Sequence, residues 1–387
     1  MRGVAFAIAA LAFLAPAMGS CRVWDELLGQ DQHGLYIIGL DGTGLRRLAG
    51  GDAGVVGWLD DNTALISYKE KLKALDIDSG ETETVLSDRF IDYKLSPDGQ
   101  RIAYLALSEE LDERAWAAAL HVAKADGSDN RILAEGGGLN WFSWSPDSKH
   151  LVYNLDPDSK NYVVDVSGEE PPRYVGEGTF PTWAPSQRIL FGGGETMNAL
   201  HEYSIRPDGS ALADLGEAGW DLFCQPNGQM LALGHLGPPL SIELVAIDGS
   251  GSLGTLTTGR SAGWSPDSSK LAVYRDDGER TLVIVDVATR AEVALVSTSY
   301  EEDSSLPVCW SPDSQWVAFS AEEVTNLARN ERFSDGGDWD LYVARADGSE
   351  VRRLVGTPRW EYGCPWTPDG TRMIFTQGGP PEKGNGY

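Results

Sequence analysis

Cysteine and histidine are scarce in this chain, four and five copies among 387 residues, and neither gathers into a reactive pattern. His33, His121, His150, His201 and His235 show no H-E-x-x-H and no clustered spacing, so the sequence gives no support to metal catalysis. Positive charge is also in deficit, with 31 Lys and Arg against 58 Asp and Glu, a net charge of −27. Phosphate binding needs clustered Lys and Arg, so no nucleic-acid partner is expected. Past residue 20 no apolar run is long enough to span a bilayer as a helix.

The one long apolar stretch opens the chain. M-R-G is followed by the 14 residues V-A-F-A-I-A-A-L-A-F-L-A-P-A, which fit the core of a secretory signal and are too short to span. They end at M-G-S-C, which resembles a bacterial lipobox with Met18 in place of the usual Leu and Cys21 as the lipidated residue. Ordinary cleavage near Ser20 is the alternative. Removing residues 1–20 takes away only Arg2 and leaves 30 basic against 58 acidic residues, a charge of −28. The expectation is export, as a periplasmic or cell-surface lipoprotein or as a secreted protein. Contact with a membrane is expected only through Cys21.

What the chain has in quantity is turns and tryptophan, 45 Gly and 13 Trp. W-S-P-D-S-K-H-L-V-Y at Trp144 recurs as W-S-P-D-S-S-K-L-A-V-Y at Trp264, with close copies at Leu95, Trp310 and Trp366. Pro presets φ in a tight turn, Asp and Ser bond its backbone, and the β-branched or aromatic run that follows reads as a buried strand. Weaker copies begin at Trp58, Trp183 and Cys224. The eight anchors are separated by 37, 49, 39, 41, 40, 46 and 56 residues, close to the ~40–45 of a four-stranded propeller blade. A second hairpin completes most units, as in D-L-Y-V-A-R-A-D-G-S-E-V-R-R-L-V from Asp340. One such hairpin, Gly34 to Ala49, precedes the first anchor, and the last anchor lacks one. The two orphans complete each other and close a ring without a free sheet edge.

The repeat resembles the WD40-like, TolB-type family of β-propeller repeats, also called PD40 after the Pro-Asp of its turn, over roughly residues 34–376. TolB itself is not expected, because only a dozen residues separate Cys21 from the first strand, and TolB carries an N-terminal α/β domain. The expected fold is all-β: one β-propeller of four-stranded antiparallel blades, eight in number, with seven as the runner-up. The expected divisions are 1–20 signal peptide, 21–33 linker, 34–376 propeller and 377–387 flexible tail.

Cys224 stands at an anchor position as a small hydrophobe. Cys309 and Cys364 fall one and two residues before their anchors, hence on opposite strand faces, which argues for free thiols over a disulfide. G-R-S-A-G at Gly259–Gly263 matches a nucleophile elbow but runs straight into W-S-P-D, so Ser261 is expected in a loop between blades and not in catalysis. D-I-D-S-G-E from Asp76, D-P-D-S-K-N from Asp156 and D-G-G-D-W-D from Asp335 concentrate oxygen ligands, but none matches a full calcium loop. No cofactor is expected, with calcium as the one candidate.

Strand direction alternates within a blade, so the tight turns share one face and the irregular connections share the other, where binding groups concentrate. The longest insert, Glu322 to Gly337, belongs there. Most blade-to-blade connections on that face hold an aromatic: Phe90, Trp141, Phe180, Trp220, Tyr300, and Trp360 with Tyr362. Acidic neighbours include Asp92, Asp221, Glu301 and Glu361. Flat rings suit sugars and peptide side chains, and carboxylates beside them suit cations. The expected function is non-catalytic: a monomeric envelope or extracellular binding scaffold whose ligand is an envelope protein, a peptide or a glycan. A hydrolase or lyase with its site in the central funnel is the alternative.

Overall fold

The structure is a computed structural model. It describes residues 33–378, except 52, 88–89, 108–116, 156–157, 194–200, 218–221, 236–238, 277–279, 299–307, 323, 328–330, 334–338 and 358. The expected signal segment and Cys21 lie outside the described residues.

Eight antiparallel sheets follow one another along the chain. The first to seventh blades occupy residues 53–86, 90–137, 139–177, 179–217, 222–258, 260–298 and 309–355. The eighth is built from both ends: Gly34–Gly39 lies antiparallel to Arg372–Gly378, with Gly34 opposite Gln377 and Gly39 opposite Arg372. The sheet order there is Arg46–Gly50, Gly34–Gly39, Arg372–Gly378, Trp360–Tyr362. The propeller thus has the eight blades and the closure read from the repeat, and its last strand runs to Gly378.

Local chemistry explains why the repeated phrase makes a hairpin. The Ser96 hydroxyl donates to Asp98 Oδ1 at 2.6 Å and accepts the Arg101 amide at 2.9 Å, sealing the turn from both sides. Ser145, Ser311 and Thr367 repeat both bonds with Asp147, Asp313 and Asp369. In the third, sixth and seventh blades a serine takes the left-handed position of this turn, with φ of 59°, 66° and 59° at Ser148, Ser268 and Ser314. That conformation favours glycine. Here the hydroxyl is used: Ser148, Ser268 and Ser314 accept the amides of Asp98, Asn227 and Asp267 in the preceding blade.

The anchor tryptophans work in the same direction. The indole N–H of Trp144, Trp264, Trp310 and Trp366 donates to the carbonyl of Lys94, Phe223, Gly263 and Cys309, at 2.9–3.1 Å. Each acceptor precedes the anchor of the blade before. First strands of neighbouring blades therefore meet edge to edge, which places them around the axis. Apolar cores lie between blades, such as Leu105, Phe142 and Trp144 between the second and third. Burying ~200 Å² of one Trp at ~25 cal/mol/Å² contributes about 5 kcal/mol as an upper estimate.

Two expectations fail here. Cys309 and Cys364 form a disulfide with Cα atoms 5.7 Å apart, joining the inner segments of the seventh and eighth blades. The face-parity argument does not apply, because the last inner strand ends at Tyr362 and Gly363 turns the chain with φ 74° before Cys364. Ser261 does not sit in a loop: Arg260–Trp264 is the innermost strand of the sixth blade. The long insert is also more than a loop. Its strands Val324–Asn326 and Glu331–Phe333 form a hairpin that pairs with the outer strand Glu292–Thr298 of the sixth blade, Val324 opposite Thr298.

Candidate functional site

The innermost strands of the second, third and fourth blades, Phe90–Leu95, Leu139–Trp144 and Thr179–Trp183, each shift register once against the next strand. The irregularities fall between Phe90 and Asp92, between Leu139 and Trp141, and between Thr179 and Thr182. A bulge of this kind re-aims side chains. It exposes Ile91, Asn140 and Phe180, and turns the flanking Phe90 and Trp141 into the protein. A one-residue bulge cannot be read from the pattern of apolar residues. That is why the aromatics of these connections look equivalent in sequence but differ in exposure.

The three strands bring five side chains together, Asp92, Lys94, Trp141, Phe142 and Phe180. Lys94 Nζ donates to the Phe142 carbonyl at 2.6 Å and stands 4.3 Å from the Trp141 ring centre and 5.0 Å from that of Phe142. Asp92 lies 3.9 Å from the same ammonium. Burial lowers the Lys94 pKa, opposed by the Asp92 charge, and burial raises that of Asp92, opposed by Lys94. Phe180 meets Trp141 edge to face at 5.3 Å. It is 65% exposed and holds φ 53°, a conformation that costs a bulky residue about 1–3 kcal/mol. The Trp141 indole N–H is buried without a hydrogen-bond partner. Nothing in the sequence marks Lys94 as a site residue except its place two residues after Asp92 on an inner strand.

The other described candidates lie in separate pairs. Phe90 packs against Tyr93 at 5.0 Å, within the core between the first and second blades. Trp360 stacks on Trp339 at 5.5 Å, and the Tyr362 hydroxyl meets His33 Nε2 at 3.2 Å. Glu361 is fully buried, and its pKa is pushed up to about 7 by burial. Trp220, Tyr300, Asp221 and Glu301 lie outside the described residues. On the fourth blade, Glu202 stands opposite Gly192 and Gly216, and burial pushes it up to about 7 as well.

The first acidic turn is closed by its own backbone, with Asp76 Oδ1 accepting the Ser79 amide at 2.7 Å. Among the described residues no group of three or more His, Cys, Asp or Glu side chains is arranged to hold a metal ion. Among them, too, no helix is long and apolar enough to cross a membrane.

No family model and no curated protein matches the chain. Solved structures do. An oligogalacturonate lyase from Vibrio parahaemolyticus aligns with a TM-score of 0.53 at 13% identity, over 75% of this chain and 93% of its own. A putative TolB from Agrobacterium tumefaciens aligns at 0.41 and 17% identity, over 91% of this chain and 100% of its own. TolB from Acinetobacter baumannii aligns at 0.38 and 19%, over 65% and 66%. The first likeness agrees with a propeller fold and speaks to the fold alone.

Proposed function

We propose that this chain is a non-catalytic binding module of the cell envelope or extracellular space, and that it holds a glycan or peptide at the inner strands of the second to fourth blades. Phe180 carries the reading. A large apolar ring is left mostly exposed, in a costly backbone conformation, beside a half-buried Trp on a rigid scaffold. Strain of this kind collects at ligand sites, and an exposed aromatic face suits a sugar ring or a peptide side chain. Lys94 already occupies the cation position over Trp141, so the ligand is expected to stack on Phe180 instead of delivering a cation. The Cys309–Cys364 disulfide supports an oxidising compartment.

The test is a glycan and peptide array probed with the full chain and with Phe180→Ala. Binding that disappears in the variant at unchanged melting temperature supports the reading. Turnover of a glycan or lactone substrate would instead favour a hydrolase or lyase, for which Glu202, pushed up to about 7, is the acid–base group to mutate.

A further inference from the structure

Three arginines meet in one cavity on the tight-turn face of the ring, away from the Phe180 site. The cavity measures about 890 Å³ where the eighth blade adjoins the seventh and the first, within the ~300–1,000 Å³ of small-molecule sites. Arg46 and Arg372 line it from the outer and second strands of the eighth blade, and Arg352 from the outer strand of the seventh. Arg46 stands opposite Ile37 and Arg372 opposite Gly39, two residues along the same strand. Both side chains therefore leave the sheet on one face, the face that Ile37 turns to the first blade. Gly39 leaves the space between them bare, and a Cβ there would come within 2.7 Å of Asp41 Oδ1. Two of the three arginines tie blades together. Arg352 donates through Nη2 to the Leu40 carbonyl and sets Nε 3.1 Å from Glu350 Oε1, and Arg372 Nη1 donates to Asp78 Oδ1 of the first blade at 2.7 Å. Arg46 is half-buried and makes no hydrogen bond or ion pair among the described residues.

We infer that this cavity binds the oxyanion of a carboxylate or phosphate ligand, with Arg46 as its principal contact. A half-buried guanidinium has lost part of its water and gains most from an ionised acceptor, and its planar fork matches carboxylate and phosphate oxygens. The lining carries three arginines against two aspartates, with Glu350 offsetting Arg352 from outside it. Asp78 is engaged by Arg372, and Asp41 Oδ1 accepts the Thr43 amide at 2.9 Å and the Thr43 hydroxyl at 2.8 Å, so the cavity's own carboxylates are used in the fold. The net charge of −27 is spread over the whole chain and is screened beyond about 8 Å in physiological salt, which leaves recognition to the groups of the lining. Strands from both ends of the chain meet here with the first and seventh blades, so an occupied cavity also braces the closure of the ring.

The test is a calorimetric titration and a thermal melt of the full chain with acetate and with inorganic phosphate, each replacing chloride at fixed ionic strength. At least one of the two should bind and give a saturable rise in melting temperature. A response to acetate alone assigns the ligand to carboxylates and a response to phosphate alone to phosphates, and either supports the site. Arg46→Gln should melt with the wild type in chloride, because Arg46 holds no bond in the fold, and should weaken the measured affinity about tenfold or more. Arg206→Gln, at an exposed arginine of the fourth blade, makes the same charge change elsewhere and should bind as the wild type does. A melting temperature indifferent to both anions overturns the site, and the wild type alone decides this. A rise that Arg46→Gln leaves intact also overturns it, and assigns the effect to exclusion of the salts from the whole surface.

Discussion

Phe180 and Glu202 show how single side chains set testable behaviour. Glycine has no Cβ penalty at φ 53°, so Phe180→Gly relieves strain there while losing the edge-to-face contact with Trp141 at the surface. The variant is expected to melt within about 1 kcal/mol of the wild type while losing ligand binding, which calorimetry and an array measure separately. Glu202 has its folded pKa raised from 4.5 to about 7, so the folded state favours the protonated acid. Its contribution to stability is fully present below 4.5 and is lost as pH rises through about 7. Melting temperature should fall across that window, and Glu202→Gln should flatten the fall. An unchanged slope in the variant would assign the pH dependence to another group.

Strands and turns are held to their neighbours by a repeating pair of bonds, and the repeat makes its own control. Trp310→Phe keeps the ring in the core but removes the indole N–H that reaches the Gly263 carbonyl. The expected cost is about 1 kcal/mol, with more if the buried carbonyl finds no water. Ser314→Ala keeps the left-handed backbone and loses the bond to Asp267, also about 1 kcal/mol. Ser314→Gly should cost less than Ser314→Ala, because it gives up the same bond but relieves φ. Denaturant unfolding of the three variants orders them. Trp183 departs from the pattern: its indole N–H is buried without a partner, and its amide reaches Ser143 Oγ at 3.2 Å. It follows the Phe180 irregularity on the same strand, so the strand that offers the candidate ligand surface reaches the third blade through the Trp183 amide in place of its indole.

Across the ring, the eighth blade is the joint on which cooperativity depends. It is closed by the Gly34–Gly39 pairing, by Trp366, and by the Cys309–Cys364 disulfide, which links residues 55 apart. Truncation before Cys364 removes all three and should unfold the ring globally, without fraying at one end. A truncated chain with the full-length melting temperature would count against closure. Cys309→Ala with Cys364→Ala removes only the covalent link and should lower stability by about 2–4 kcal/mol without changing the fold. Non-reducing and reducing melts of the wild type should show the same difference.

Blade number, strand direction, the tight-turn chemistry and the closing of the ring were all legible in the residues, because each rests on local periodicity and on turn residues with one conformational use. The S-P-D turn at Ser96 is legible from its own residues, and the orphan hairpin at Gly34 from the missing hairpin after Trp366. The disulfide, the strap from Val324 to Phe333 and the grouping of Lys94 with Trp141 and Phe180 needed tertiary structure. A one-residue bulge or a turn such as Gly363 reverses the facing of every side chain after it, and leaves almost no mark on composition or spacing. The buried carboxylates Asp340 and Glu361 are the strongest case. They stand on different blades, Asp340 on Asp340–Arg345 and Glu361 on Trp360–Tyr362, and only the folded ring shows that both are taken out of water.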